Sequence, residues 1–189
     1  MKNMTGPDAV QHTSDEWDST VAFLKAAPAP AGREAAWTRV LAFLDAGQRD
    51  DAHLVASVLV IDAGGLVLLA RHRRYGQWGP LGGHLDPNDE SLRAAATREL
   101  FEEAGLAAHV HPDPIDVRLS SYPCRTVAEP VHHLDVQFVA FTTAWAPALI
   151  ASDELTGLEW FGFRDLPSLT PAAAELVGLA GAAATSRRR

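Results

Sequence analysis

The chain has 189 residues, 47% of them hydrophobic and 21% charged, which suits one domain with extensions and a full core. A formal charge of −8 argues against a nucleic-acid backbone as the main partner, although local cations and a metal could still seat a small phosphate ester. With Cys124 the only cysteine, no internal disulfide can form; with no signal-length apolar run and no membrane-length span either, a cytoplasmic protein is expected.

Residues up to about Thr13 are polar and read as loose chain. From Ser14 to Ala26 the apolar residues Trp17, Val21, Phe23 and Leu24 recur at helical spacing, and Pro28 and Pro30 break that helix. A second helix is predicted from Arg33 to Ala46, with Trp37, Val40, Leu41 and Leu44 on one stripe and Gly47 near its stop. This pair is expected to pack on the main domain or on a second subunit, which leaves a homodimer open. A pocket wall or lid is the sharper alternative. In either packing Trp17 and Trp37 should be buried.

His53 to Ile61 is a nearly continuous apolar, β-branched run and predicts a buried strand. Asp62-Ala63-Gly64-Gly65 is a hairpin turn signal, and Leu66 to Ala70 returns as the partner strand. Arg71-His72-Arg73-Arg74-Tyr75-Gly76-Gln77-Trp78 follows as a cationic loop. It is either a solvated segment or a source of guanidinium groups for phosphate, with Arg71 the first candidate for substrate contact.

The stretch from Gly82 to Leu106 is the most informative. Ser91 is a plausible N-cap, the alanines, leucines and glutamates after it favour helix, and Gly105 supplies the left-handed stop. At about 100° per residue, Glu99, Glu102 and Glu103 share an arc roughly 100° wide, while Leu100, Phe101 and Ala104 are expected to face the core. Glu99 and Glu103 form an i, i+4 like-charge pair, and Arg98 is the nearby cation, four residues before Glu102. A hard divalent cation such as Mg²⁺ or Mn²⁺ would turn that repulsion into binding. The Gly82-Gly83 turn lets backbone approach the same place, where it could add a carbonyl ligand or contact a phosphate.

Beyond the helix, Val117 to Ser121 is a weak strand candidate, followed by a polar loop through Cys124 and Pro130 long enough to shape specificity. Cys124 reads as an incidental thiol. His133, Asp135 and Gln137 alternate with Leu134, Val136 and Phe138, predicting a strand with one wet face. His109-x-His111 and His132-His133-x-Asp135 invite a zinc reading. Structural zinc usually recruits cysteines, so polar rims or substrate contacts are expected instead. Pro147 to Leu155 is a loop carrying Asp153 and Glu154, Leu158 to Phe161 a last strand, and a final helix starts near Pro171. This order of elements indicates mixed α/β layering.

Glu90, then seven residues, then Arg98-Glu99-Leu100-Phe101-Glu102-Glu103-Ala104-Gly105-Leu106 resembles the Nudix box, G-x5-E-x7-R-E-U-x-E-E-x-G-U with U apolar. Two departures lie in the loop: residues 84–89 put six positions between Gly83 and Glu90 in place of five, and Leu81 stands where many members have proline. The box covers about 24 residues, and the wider resemblance runs from His53 to Leu169. The resemblance implies a Nudix-type α/β/α sandwich with a mixed β-sheet over residues 51–180; the helical pair makes 1–50 an N-terminal extension outside that domain, and 181–189 reads as a basic flexible tail. The resemblance further implies a metal-dependent hydrolase of a phosphoanhydride in a small phosphorylated nucleotide-type substrate, with no nucleic-acid or membrane partner. Mg²⁺ or Mn²⁺ would be held by Glu99, Glu102, Glu103 and the Gly83 carbonyl, Arg98 would position the acids, and Glu90 would reinforce it. The general base would be one of the box glutamates or Glu154, with Asp153 and Glu159 behind it. A catalytically silent Nudix-fold module that binds a nucleotide or sugar phosphate as a sensor is the alternative of a different class. A diphosphate isomerase would need Cys124 at the metal site.

Overall fold

The computed structural model describes residues 14–46, 52–86, 88–123 and 130–187, so Cys124, Pro87 and the loop over 124–129 lie outside the described residues. In chain order the elements are α1 (Ser14–Ala26), α2 (Glu34–Asp45), β1 (Ala52–Ile61), β2 (Val67–His72), β3 (Trp78–Gly79), β4 (Leu81–His84), α3 (Leu92–Ala104), β5 (His109–Val110), β6 (Asp116–Pro123), β7 (Pro130–Phe141), β8 (Leu155–Phe161) and α4 (Pro171–Arg187). The strands form one mixed sheet between helices, as expected. β1 runs parallel to β7 in an unbroken register from Ala52↔His132 to Ile61↔Phe141, and antiparallel to β2 and β4. β6 and β5 extend the β7 edge, and β8 and β3 extend β2.

Every residue of β1 is buried, because both faces of the central strand are covered. Alternation splits these residues into two sets. Leu54, Ala56, Val58 and Val60, with Leu134, Val136 and Phe138 of β7, pack against α1, α2 and α3. On the other face Leu59, Ile61 and Val139 pack under Leu176, Val177 and Ala180 of α4. That helix covers only one end of its face. At the other end the same face carries Val55, Ser57, His133, Asp135 and Gln137, which line a cleft. The wet face read from β7 is thus an interior one: His133 and Gln137 are buried at the bottom of the cleft.

Trp17 and Trp37 are 2% and 6% exposed and belong to the same core as the sheet. Arg33, at the N-cap of α2, fastens the helical pair further. Its guanidinium grips the buried Asp116 of β6 through Nε to Oδ1 at 2.8 Å and Nη2 to Oδ2 at 3.0 Å, and also reaches Glu175 of α4. Arg118 completes the network, with Nη2 2.6 Å from Glu175 and 3.2 Å from Asp116. At the other terminus, α4 continues through residues 181–187 where loose chain was expected, and the Arg187 guanidinium lies 4.4 Å from the centre of the Phe141 ring. No helix among the described residues is long and apolar enough to cross a membrane.

Removing the Arg33 fork leaves Asp116 buried with Arg118 as its remaining cation. Arg33→Ala should therefore cost about 2–3 kcal/mol, less than the roughly 3–5 kcal/mol of a fully orphaned buried charge. Urea denaturation should show this as a lower midpoint in a single transition. A separate early transition for the helical pair would mean that α1 and α2 do not share the core's cooperativity.

Candidate active site

Local sequence sets the α3 geometry. The Ser91 hydroxyl accepts from Ala94 N–H at 3.1 Å, and Gly105 closes the helix with φ 62°. The helix is rotated from the expected orientation by about one residue. Phe101 is 64% exposed, whereas Glu103 is 5% exposed and sits beside Leu100 and Ala104 in the buried row. The three acids therefore do not share a solvated face. Glu102 stands in water, and Glu99 and Glu103 lie largely buried against the β4 backbone.

Two glycines make that approach possible. Gly82 has φ 144°, and a Cβ there would strike the Ala56 carbonyl. At Gly83 a Cβ would run into the Glu99 carboxylate. The Gly82 N–H donates to Glu103 Oε2 at 2.8 Å, and His72 Nδ1 lies 3.6 Å from Glu103 Oε1. Burial, with Glu99, Glu154 and Glu102 nearby, pushes the Glu103 pKa up to about 8 despite the Gly82 bond. Burial also raises Glu99, while Arg98 opposes the rise.

Arg98 is the organising cation. Nε and Nη2 hold Asp89 at 3.1 and 2.9 Å, Nη1 reaches Glu99 at 2.8 Å and Glu102 at 3.0 Å, and Nη2 donates to the His84 carbonyl at 3.0 Å. These partners, Asp89 above all, hold the guanidinium firmly in its charged form. The place expected for Glu90 thus belongs to Asp89. Glu90 is exposed, and the Asp89 carboxylate is the one drawn inward. Counting from Gly83 offered a signal for this, since five intervening residues land on Asp89. The extra residue then falls before Ser91, where the chain has yet to enter the helix.

Of the three helix acids, Glu103 lines a cleft of about 980 Å³, together with His84, Arg73, Arg74, Asp153 and Glu154, with the buried β7 residues as its floor. Arg71 is absent from the lining. Its Nε donates to the Gly76 carbonyl at 2.9 Å and closes the 72–76 turn. Arg73 staples this turn to the opposite loop, with its N–H on the Glu154 carbonyl at 2.8 Å and Nε on the Asp153 carbonyl at 3.0 Å. Glu154 is exposed at the mouth, and Glu159 is exposed on β8 outside the cleft lining. Deeper in, Asp135 Oδ2 accepts from Gln137 at 2.6 Å. Burial lifts the Asp135 pKa to about 6, against opposition from Ser57, Gln137 and Arg118. His109 is exposed and His111 bonds the Asp113 backbone, so neither joins the His133 region.

A hard dication fits the donor set at the helix. Glu99, Glu102 and Glu103 are all oxygen donors, two of them are forced together in a poorly solvated place, and the glycine strand leaves room beside them. The family model for the NUDIX domain matches residues 51–179. Among solved structures, a NUDIX-family hydrolase from Clostridium perfringens is 22% identical with a TM-score of 0.57, covering 70% of this chain and 97% of that one. The NUDIX domain of Shewanella oneidensis NrtR, complexed with ADP ribose, is 18% identical with a TM-score of 0.57, over 77% and 92%. A C. elegans Ap4A hydrolase binary complex is 19% identical with a TM-score of 0.53, over 71% and 98%.

In metal-free protein, the raised Glu103 pKa links folding to pH. Its carboxyl titrates near 4.5 when unfolded and near 8 when folded, so between these values the native state binds more protons. Stability from this group is full below the lower value and lost as pH rises toward the upper one. The Glu99 shift has the same sign. Above about 6.5, the ordinary histidine value, Asp135 is mostly ionised and the lowered His53 and His133 pKa values oppose the trend only with the fading half of their unfolded-state titration. In EDTA the thermal midpoint should therefore fall between about pH 6.5 and 8, and Glu103→Gln should flatten the fall and melt higher at pH 8. An unchanged slope in the variant would contradict a buried, ionising Glu103.

Proposed function

The chain belongs to the Nudix family, and from that premise we propose that it is a metal-dependent hydrolase of a phosphoanhydride in a nucleoside diphosphate linked to another moiety. Candidate substrates are nucleotide sugars, ADP-ribose, dinucleoside polyphosphates and nucleoside triphosphates. The observation that carries this reading is the pairing of Glu99 and Glu103 against the Gly82-Gly83 backbone at the wall of the cleft.

Glu99, Glu102 and Glu103 would hold Mg²⁺ or Mn²⁺, with the Gly83 carbonyl as a further candidate ligand; once bound, such an ion neutralises phosphoryl charge and acidifies a ligated water. Arg98 fixes the Glu99 and Glu102 carboxylates in place through its Nη1. Glu103 would lose its proton to bind a dication, because the added positive charge would offset the cost of ionising it there. Glu154, at the cleft mouth and electrostatically coupled to Glu103, is the first candidate to take the proton of an attacking water. His72 and Asp153 stand close by. Arg74, at the cleft wall, replaces Arg71 as the cation for a substrate phosphate. The acidic net charge supports a small nucleotide-type substrate over a nucleic acid, and Cys124, the single cysteine of the sequence, fits a reducing, cytoplasmic setting.

Nucleotide or phosphate release should be screened across those substrate types with Mg²⁺ and Mn²⁺. Turnover that falls by orders of magnitude in Glu103→Gln supports the reading; ligand-induced thermal stabilisation without any turnover would favour a silent sensor. On the substrate so found, Asp89→Asn should lower kcat about 10–100-fold, as loss of an outer-shell partner does, while Glu90→Gln stays near wild type. The reverse ranking would return Arg98's anchoring to Glu90.

A further inference from the structure

Three histidines that are far apart in sequence meet at the end of the cleft. His53 and His133 are directly paired across the parallel strands β1 and β7, and His84 lies opposite Val55 on β4. Each has a ring nitrogen within 4.8 Å of one on both the others. The ring centres stand 5.1, 5.3 and 5.5 Å apart, all in edge-on arrangements. We propose that His53, His84 and His133 form a binding site for a borderline divalent transition-metal ion of the Zn²⁺ class, separate from the glutamate site on α3.

Several features fit such an ion better than chance packing. Two imidazole nitrogens on a tetrahedral ion at about 2.05 Å are separated by about 3.3–3.4 Å. His53 Nδ1 and His84 Nε2 are 3.3 Å apart, so one edge of the tetrahedron already has its length. His133 Nδ1 lies 3.1 Å from the Val131 carbonyl, the outer-shell bond that commonly fixes the tautomer of a metal-ligating histidine and directs Nε2 at the ion. His53 and His133 are buried, and burial favours their neutral form, the form that ligates. His84 and His133 also line the cleft, so a fourth coordination position would face whatever enters it. Imidazole donors select against Mg²⁺ and the carboxylates of α3 select for it, and the two sites would load with different metals. The site also touches the catalytic helix directly, because the His84 carbonyl accepts from Arg98.

The competing account is a metal-free cluster held by the His53–His84 hydrogen bond. Tag-free, EDTA-stripped protein should be titrated with Co²⁺ in saturating Mg²⁺. One equivalent should develop the ligand-field absorption of a low-coordinate nitrogen site, which Zn²⁺ abolishes by displacement. Glu103→Gln should keep the band. His84→Ala and His53→Asn, each checked for folding by circular dichroism, should weaken Co²⁺ binding by more than the roughly 10–100-fold that loss of an outer-shell partner costs. X-ray absorption of the Zn²⁺-loaded wild type should show an imidazole shell, a readout that depends on no variant. An absent band, a band that survives both histidine substitutions, or an oxygen-only shell would overturn the proposal.

Discussion

The fork of Arg98 is the interaction on which the rest of the site depends. An arginine presents five donors in a fixed plane, and here both edges of that plane are used. One edge takes Asp89 in a two-point grip, and the other divides between Glu99 and Glu102. The remaining direction reaches the His84 carbonyl. One side chain therefore ties the loop before α3, the helix itself and the end of β4 into a single unit. A lysine, a point charge on a flexible stem, could satisfy one of these partners well and would leave the loop and strand to find their own positions.

That unit can be rigid because the sheet beneath it treats its two faces differently along their length. On one face β1 and β7 are apolar from Leu54 to Val60 and from Leu134 to Ala140 and carry three helices. On the other, the packed apolar run ends at Leu59 and Val139, and a mainly polar stretch begins at Ser57 and Gln137. The helix α4 ends its coverage where that change occurs. A cleft results without any gap in the core, since the residues beneath it are still packed from the opposite side. The helical pair α1–α2 supplies part of that packing, and Arg33 binds it to the same β6 strand whose Arg118 reaches the cleft.

The sequence carried the acids, the glycines and the longer strands clearly, because those depend on fixed spacing and on alternation. It was less legible wherever one residue of rotation or register decides. Phe101 and Glu103 illustrate this. Apolarity alone sends the phenylalanine inward, but the glutamate is needed beside Gly82, and a helix cannot turn both into one row. Glu90 matched the x7 spacing to Arg98 and Asp89 the x5 spacing from Gly83, and geometry favoured the carboxylate that meets the guanidinium plane. Arg71 had the right charge and the wrong strand position; the turn consumes its guanidinium. Of the histidine cluster only His133 stood in a local pattern, and its partners His53 and His84 come from two other strands and meet it only through sheet register.

Placing Glu99 and Glu103 together, partly out of water, makes the metal-free site a point of conflict within an otherwise consistent fold. Fold stability alone would favour a glutamine or an apolar residue at 103, since each would remove the cost of ionising a buried acid. The glycine strand sharpens the conflict, because it brings backbone to within bonding distance of Glu103 and leaves no space for the Glu99 carboxylate to retreat past residue 83. Arg98 relieves only part of the charge, since Glu103 lies beyond its direct hydrogen bonds. A fold that tolerates such strain at one spot, and supports it with two glycines and a five-donor cation, is organised around an event that removes the strain. Under the proposed function, binding a positive ion there would be that event, and the acids would be held in advance of the ion rather than gathered by it.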